Sequence, residues 1–145
     1  MSLEGLPPSP RRMRITGLHH VTVICRDLAA TTAFYRDVLG LALVAEEVND
    51  DDPAMRRFSF GDAHGTPGTL VTFLEYPALP EGKVGAGSTH HFALAIDSED
   101  ELAAWRDYLR ERDVPCTEIF DRGRFSSIYL RDPDGHVVEI ATRGG

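Results

Sequence analysis

Alternating apolar and polar residues mark two similar units along the chain. The first reads HVTVICRDLAATTAFYRDVLG from His20, and the second reads HFALAIDSEDELAAWRDYLRERD from His91. Each unit begins with a short alternating segment, which is typical of a β-strand with one buried face. Each continues with apolar residues at helical spacing, so the pattern predicts two copies of one strand-helix module, each helix lying on a sheet.

Polar residues delimit both predicted helices. Asp27 can cap the start of the first helix, and Gly40 suits the left-handed position after its end. In the second helix, Ser98 and Glu101 form a capping-box pattern. The apolar stripes expected to face a sheet are Leu28, Tyr35, Val38 and Leu39 in the first helix, and Leu102, Trp105 and Leu109 in the second.

Three further strand candidates follow each helix, so each half of the chain reads β-α-β-β-β. These candidates are LALVAEEV, MRRFSFG and TLVTFLEY, then PCTEIF, SSIYL and HVVEIAT. A repeat of this size cannot bury its sheet alone, so the two modules must pair, within one chain or between chains. We expect an α+β fold in which two βαβββ modules form cupped mixed sheets around a central cavity, with the helices outside.

The expected organisation is a single domain behind a short leader. Residues 1–14 are rich in proline and lack the apolar stretch of a signal peptide, so we interpret them as a flexible leader. The domain is expected to span residues 15–142. Within it, we place module one at 15–78, a linker at 79–88 and module two at 89–142.

Strand alternation places His20, His91 and Glu139 on the faces that point away from the helices. The residues expected beneath the helices are Val21, Val23 and Cys25, then Phe92, Leu94 and Ile96, then Val138 and Ile140. A single histidine in a strand is more often structural than not. Two imidazoles and a carboxylate that converge are a candidate divalent-metal site, because a buried carboxylate needs a cation and neutral histidine suits iron, zinc or nickel.

The repeat is broken at the position that matches Glu139. Aligning GTLVTFL with GHVVEIA puts Thr72 at that position in module one. Three protein ligands would leave open metal positions, as in a centre built from two histidines and one carboxylate. Glu75 has the opposite parity along its strand, so we expect a solvated glutamate at the strand end rather than a fourth ligand.

Composition and net charge argue against nucleic-acid binding and against a membrane-spanning segment. The 145 residues are 42% hydrophobic, which suffices for one compact core, and the net charge of -8 argues against a nucleic-acid partner. No segment approaches the roughly 20 apolar residues needed to cross a bilayer. The two cysteines, Cys25 and Cys116, form no CxxC motif, which favours a reduced, cytoplasmic protein.

Two segments resemble a known group of proteins. The βαβββ repeat, FYRDVLGL at 34–41 and RDPDGHVVEI at 131–140 resemble the vicinal oxygen chelate superfamily. That superfamily includes glyoxalase I, extradiol dioxygenases and bleomycin or fosfomycin resistance proteins. GLHHVTVICRD, STHHFALAID and FDRGRFSSIYLRDPDGHVVEIAT are similar, more narrowly, to dioxygenases that open hydroquinone-type rings.

The narrower resemblance implies an iron(II) site and a set of catalytic residues around it. The implied metal ligands are His20, His91 and Glu139, the same three residues that alternation selects. The implied catalytic residues are His19, Arg122 and Tyr129. Mn(II), Zn(II) and Ni(II) are the alternative metals. The implied substrates are a small dihydroxylated aromatic and O₂.

Several alternatives stay open. The chain could be a glyoxalase-like lyase or isomerase, or a non-catalytic protein that binds a small molecule. Arg124 lies in the same loop as Arg122 and could supply the positive charge in its place. Strand alternation would place His19 on the face opposite His20, unless the regular strand begins only after His19. His90 is related to His91 in the same way, and we assign it no role. His64, in a glycine-rich turn, is expected to be solvated.

The length of the chain bears on its oligomeric state. Dioxygenases of this type have four modules and take their metal ligands from the first and the last, whereas this chain resembles those two modules joined directly. The lining that the middle modules supply is therefore absent or comes from a second subunit. A homodimer is expected, because two modules leave sheet edges to cover.

Overall fold

The computed structural model describes residues 13–144, with side chains described at all positions except 49 and 53. The predicted leader therefore lies almost entirely outside the described residues. The strands are β1 His20–Cys25, β2 Ala42–Asn49, β3 Asp52–Gly61, β4 Leu70–Glu75, β5 Phe92–Ile96, β6 Phe120–Asp121, β7 Ser126–Arg131 and β8 Val137–Thr142. The helices are α1 Leu28–Thr32, which continues as a π-helical turn over Ala33–Val38, and α2 Glu99–Glu111.

The strands form two four-stranded sheets with the same topology. Their orders are β1-β4-β3-β2 and β5-β8-β7-β6. In each sheet the first strand of the module runs parallel to the last, while the remaining neighbours are antiparallel. In each module the helix connects the first strand to the second, and these two strands lie at opposite edges of the sheet. The predicted α+β class with two βαβββ modules is confirmed.

Both predicted helix starts are confirmed by their capping contacts. Asp27 Oδ1 accepts a hydrogen bond of 2.9 Å from the Ala29 N–H, and Ser98 Oγ accepts one of 3.2 Å from the Glu101 N–H. Gly40 follows the first helix with φ +79°, in the left-handed region that glycine favours. No helix among residues 13–144 is long and apolar enough to cross a membrane.

One apolar core runs beneath both sheets on the side of the helices. Tyr35 lies at its centre, fully buried, with its ring 4.7 Å from that of Phe73 and 6.4 Å from that of Phe92 in the other module. The Tyr108 hydroxyl of α2 donates a 2.7 Å hydrogen bond to the Val38 carbonyl. The modules of one chain therefore pack together through their helices.

The turn between β7 and β8 also docks on module one. The buried Tyr35 hydroxyl donates to Asp132 Oδ2 at 2.8 Å, and the Arg26 N–H donates to Asp134 Oδ1 at 3.1 Å. His136 Nε2 lies 2.7 Å from the Ile24 carbonyl oxygen. Burial raises the pKa of Asp132 above its ordinary 3.8, and the Tyr35 hydrogen bond opposes that shift.

One predicted strand is wrong. PCTEIF was expected to be extended throughout, but only Phe120–Asp121 forms β6, and Cys116 makes an isolated bridge to Leu130. The Thr117 side chain explains the difference. Its hydroxyl accepts the Tyr129 N–H at 3.1 Å, and the Thr117 N–H donates to the Tyr129 carbonyl at 3.0 Å. A side chain thus replaces a backbone partner in the ladder.

The predicted alternation is confirmed on both first strands. Along β1, Val21 and Val23 are half-buried and Cys25 is buried, whereas His20, Thr22 and Ile24 are exposed. Along β5, Ala93 and Ala95 are exposed and their neighbours are half-buried. The sheet faces that point away from the helices are here called the open faces, and in a single chain they are accessible along β1 and β5.

Candidate metal centre

His91 and Glu139 meet on the open face of the second sheet. His91 Nε2 lies 2.8 Å from Glu139 Oε1. The Glu139 side chain is 6% exposed, and its other oxygen, Oε2, is buried without a hydrogen-bond partner among the described residues. A buried carboxylate oxygen without a partner is costly, so this pair fits a site that receives a cation. An imidazole and a carboxylate are suitable ligands for a divalent transition metal.

Each of the two His-His pairs is held by the same contact. His19 Nδ1 lies 3.0 Å from His20 Nδ1, and His90 Nδ1 lies 2.8 Å from His91 Nδ1. In each pair one Nδ1 donates and the other accepts, and the tautomers of the two rings decide which ring is the donor. The contact occupies Nδ1 of the second histidine, so Nε2 is the nitrogen that could face a metal, and in His91 this atom already lies 2.8 Å from Glu139 Oε1.

The position of His19 follows from where the first strand begins. β1 starts at His20 and β5 at Phe92, so His19 and His90 both precede regular strand. Strand alternation therefore does not direct their rings, and each one turns back onto its neighbour. Sequence reasoning gave His90 no role, although the repeat of the HH pair was the signal that could have found its contact.

Tyr129 and Arg122 lie beside this pair. Tyr129 on β7 is the register partner of Glu139 on β8, and its ring centroid is 5.8 Å from that of His91. Arg122 Nη2 donates a 3.0 Å hydrogen bond to the Tyr129 hydroxyl. Sequence reasoning missed Phe120, which is 43% exposed and packs against both Tyr129 and Arg122.

A single chain does not bring His20 to the other candidate ligands. His20 lies on β1 in the first sheet, whereas Glu139 lies on β8 in the second. Among residues 13–144, no group of three histidine, cysteine, aspartate or glutamate side chains is arranged to hold a metal ion. The six predicted site residues therefore form two clusters, one with His19 and His20 and the other with His91, Glu139, Tyr129 and Arg122.

Thr72 occupies the position in the first sheet that Glu139 occupies in the second. Thr72 pairs with Ser59 across the antiparallel ladder, just as Glu139 pairs with Tyr129. Ser59 Oγ and Thr72 Oγ1 lie 2.8 Å apart, so the two hydroxyls satisfy each other. The first sheet thus carries a neutral hydrogen-bonded pair at the position where the second carries a carboxylate.

Glu75 is engaged on the helix side of its sheet, and the expectation of a solvated side chain was wrong. Its Oε2 accepts the Leu28 N–H at 2.8 Å at the start of α1. Arg56 donates to both Glu75 oxygens at 3.0 Å. This hydrogen-bonded guanidinium holds the pKa of Glu75 below its ordinary 4.5. The side chain is only 13% exposed because the strand end lies against the first turn of α1.

The family match covers both modules. Residues 17–140 match the model of the Glyoxalase/Bleomycin resistance protein/Dioxygenase superfamily. The protein named "Putative ring-cleaving dioxygenase MhqA" of Bacillus subtilis is 32% identical over 123 residues, which cover 85% of this chain and 39% of that protein. "Putative ring-cleaving dioxygenase MhqE" of the same organism is 38% identical over 106 residues, covering 73% of this chain and 35% of MhqE.

Other relatives have lengths closer to that of this chain. "Metallothiol transferase FosB" of Staphylococcus haemolyticus is 29% identical over 130 residues, covering 88% of this chain and 84% of FosB.

A crystal structure described as a putative dioxygenase from Bacillus subtilis superimposes with a TM-score of 0.81 at 34% identity, covering 88% of this chain and 41% of that chain. The chain thus spans about two fifths of the length of the dioxygenase-named relatives it matches.

Proposed function

Because the chain belongs to the Glyoxalase/Bleomycin resistance protein/Dioxygenase superfamily, we propose that it is a metal-dependent, extradiol-type dioxygenase that cleaves a small dihydroxylated aromatic ring. The observation that carries this proposal is the buried, unpartnered Oε2 of Glu139 beside His91 Nε2. The names of the relatives support ring cleavage as the reaction. Their greater length makes the activity of this shorter chain a proposal.

The metal would be held by His20, His91 and Glu139. Iron(II) is the preferred metal, because two imidazoles, one carboxylate and open positions make up the ligand set of non-haem iron oxygenases. Such a metal would supply open positions to a substrate oxygen and to dioxygen. His91 has to present a deprotonated Nε2, so its remaining ring proton would lie on Nδ1 and be donated to His90 Nδ1.

We infer that two copies of the chain complete each site. The open face of each sheet is accessible along its first strand within one chain, and the helix faces already pack against each other. An open face of one copy can therefore cover an open face of another. In a symmetric pair, His20 of one copy would approach His91 and Glu139 of its partner, and the reverse contact would form a second equivalent site.

The residues beside the pair have distinct tasks in this proposal. Arg122 holds the Tyr129 hydroxyl at 3.0 Å, which leaves the phenol proton free to be donated to an oxygen of the reacting substrate. The positive charge of Arg122 stabilises negative charge that develops on that substrate. His19 contacts His20 Nδ1 and thereby orients the His20 ring.

Two observations count against the glyoxalase-like alternative. A lyase or isomerase of that kind usually needs a second carboxylate at the metal. Thr72 stands at the corresponding position and is hydrogen-bonded to Ser59. Glu75 is bound to Arg56 and to the first turn of α1, on the opposite side of the sheet.

Metal content and oxygen consumption test the proposal together. The protein, loaded with iron(II) without oxygen, should bind one metal per chain and then consume O₂ when a catechol or hydroquinone is added. His91→Ala should lose metal and activity, because the remaining ligands are too few. A loaded wild-type protein that consumes no O₂ with any dihydroxylated ring would refute ring cleavage.

His64→Ala is the matched control. His64 is an exposed histidine in the turn between β3 and β4, where its backbone N–H donates to Asp62 Oδ1. The variant removes one imidazole from the same module as His20 without touching either cluster. It should retain wild-type metal content, so a loss of metal in both variants would point to non-specific binding by surface histidines.

A further inference from the structure

Phe120 and Arg122 form an exposed ledge next to the candidate metal centre. The Arg122 guanidinium lies over the Phe120 ring, 4.8 Å from its centroid, and 5.4 Å from the centroid of Tyr129. The Phe120 and Tyr129 rings meet edge to face at 5.8 Å. Phe120 is the register partner of Ser127 on β7, which places it on the same open face as Tyr129 and Glu139.

Arg122 contacts two aromatic rings beside the candidate site. Among residues 13–144, several arginines form ion pairs with carboxylates, and these are Arg36, Arg56, Arg57, Arg106, Arg110 and Arg143. Arg122 forms no ion pair within the same range. The described arginines that share its lack of an ion pair are Arg14, Arg26, Arg112, Arg124 and Arg131. Its neighbour Asp121 instead accepts the Gly123 N–H at 2.8 Å. In a chain with a net charge of -8, an arginine without a carboxylate partner beside a candidate site is available to an anion.

Several donors of Arg122 remain available. A guanidinium has five N–H donors in one plane, and the Tyr129 hydroxyl accepts from one of its nitrogens, Nη2. Stacking on Phe120 and the bond to Tyr129 fix the orientation of that plane. A guanidinium held in this way matches the geometry of a carboxylate, which accepts two parallel hydrogen bonds.

We propose that Phe120 and Arg122 form a subsite for an aromatic ring that carries a carboxylate. The ring packs against the exposed part of Phe120, and the carboxylate accepts hydrogen bonds from the edge of the Arg122 guanidinium. The inference rests on the proposed function for the dihydroxylated ring and adds that the preferred ring is anionic. Arg122 is thereby the specificity-determining residue, and Phe120 provides apolar contact to the ring of either an anionic or a neutral ligand.

The distance of the ledge from the metal ligands defines which part of the substrate it contacts. Tyr129 lies between the two, with one ring contact of 5.8 Å to His91 and another of 5.8 Å to Phe120. A carboxylate bound by Arg122 would therefore lie beside Tyr129, on the side away from His91. The two hydroxyl groups of the ring stay free for the centre itself.

Equilibrium binding tests the subsite without turnover. Titration calorimetry under argon would compare 2,5-dihydroxybenzoate, its methyl ester and 1,4-dihydroxybenzene with the purified protein. The wild type should bind the carboxylate about 10- to 100-fold more tightly than the ester, the range expected for a charge-assisted pair. Equal affinities, or no measurable binding of any of the three, would overturn the subsite.

Single substitutions test whether Arg122 is responsible for the preference for the carboxylate over its ester. Arg122→Gln should bring the carboxylate and its ester to equal affinity, whereas Arg124→Gln, which removes the same charge two residues away, should retain the wild-type ratio. Phe120→Leu should weaken both ligands by a similar factor, since it removes ring contact but no charge. A ratio that survives Arg122→Gln, or that Arg124→Gln abolishes equally, would contradict the assignment. Circular dichroism checks that each exposed-site variant folds.

A second variant and a turnover assay separate this inference from the proposed function. Arg122→Lys keeps the positive charge but loses the planar guanidinium. The ratio of its affinities for the carboxylate and the ester should therefore fall between the ratios of the wild type and Arg122→Gln. If the carboxylate binds as expected but is never cleaved, ring cleavage fails and the subsite stands. If 1,4-dihydroxybenzene is cleaved and no ligand preference exists, ring cleavage stands and the subsite fails.

Discussion

The Tyr35 hydroxyl donates a 2.8 Å hydrogen bond to Asp132 Oδ2, and both residues are buried. This contact joins FYRDVLGL in module one to RDPDGHVVEI in module two, the two segments on which the superfamily resemblance rests. Asp132 Oδ1 in turn accepts the backbone N–H groups of Asp134 and His136 at 2.9 Å. A single carboxylate thus shapes the turn before β8 and holds it against the first helix.

Tyr35→Phe should destabilise the protein, because it leaves Asp132 Oδ2 buried without this donor. A loss of about 1–3 kcal/mol in the free energy of unfolding is expected for a buried acceptor deprived of its partner. Urea denaturation would measure it. A double-mutant cycle with Asp132→Asn isolates the pair, and a coupling energy near zero would contradict the importance of this contact.

The stability contributed by Asp132 should depend on pH. Burial raises its pKa in the folded state above the ordinary 3.8, so the folded protein holds the proton more strongly than the unfolded chain. That contribution is fully present below pH 3.8 and is lost as the pH rises through the folded pKa. Urea titrations across this range, compared with Asp132→Asn, should show the wild-type advantage shrinking as the pH rises. A difference that is constant with pH would contradict the raised pKa.

Glu75→Gln separates a structural role from metal binding. The substitution weakens the contacts to Arg56 and to the Leu28 N–H, so a loss of about 1 kcal/mol in the free energy of unfolding is expected. Metal stoichiometry should stay at the wild-type value. Loss of metal in this variant would instead favour the glyoxalase-like alternative, in which Glu75 is a ligand.

The same contribution of Glu75 should fade in acid. Arg56 holds the Glu75 pKa below its ordinary 4.5, so the stabilisation is present above pH 4.5 and is lost as the pH falls through the lower folded pKa. Wild type and Glu75→Gln should therefore converge in stability at acid pH, as measured by urea denaturation. The contribution of Glu75 to the free energy of unfolding thus rises with pH, whereas that of Asp132 falls with pH. Each variant is therefore a control for the other.

The sequence predicted the modules because their signals are local. Alternation along β1 and β5, the capping residues Asp27 and Ser98, and Gly40 each depend on neighbours a few positions away. The structure departs from expectation where a side chain takes over a backbone partner, as Thr117 does beside β7. No local pattern indicates that exchange, since it depends on Tyr129 arriving from another segment.

The candidate site was predictable only as far as each sheet. Register in the second sheet brings Glu139 and Tyr129 together, and the parity of β7 and β8 already indicated a shared face. The relation of His20 to that face depends on how the modules pair, which alternation within a strand does not encode. The turn of His19 towards His20 likewise depends on a strand boundary one residue later than the HH pair begins.

Mixed dimers test whether the site is shared between copies. If His20 of one copy meets His91 of another, a dimer of one His20→Ala chain and one His91→Ala chain contains one intact site and one site that lacks both histidines. Random mixing of the two variants should then restore metal binding and activity at about a quarter of all sites, although each variant alone has none. Co-expression with two affinity tags, followed by iron analysis of the doubly tagged fraction, measures this directly, and that fraction should carry one metal per dimer. Mixing His20→Ala with His20→Ala of the other tag is the matched control and should restore nothing. A doubly tagged fraction that contains no metal would contradict a shared site. A site built within one chain would stay incomplete in both chains of such a dimer, because each chain lacks one of its own ligands.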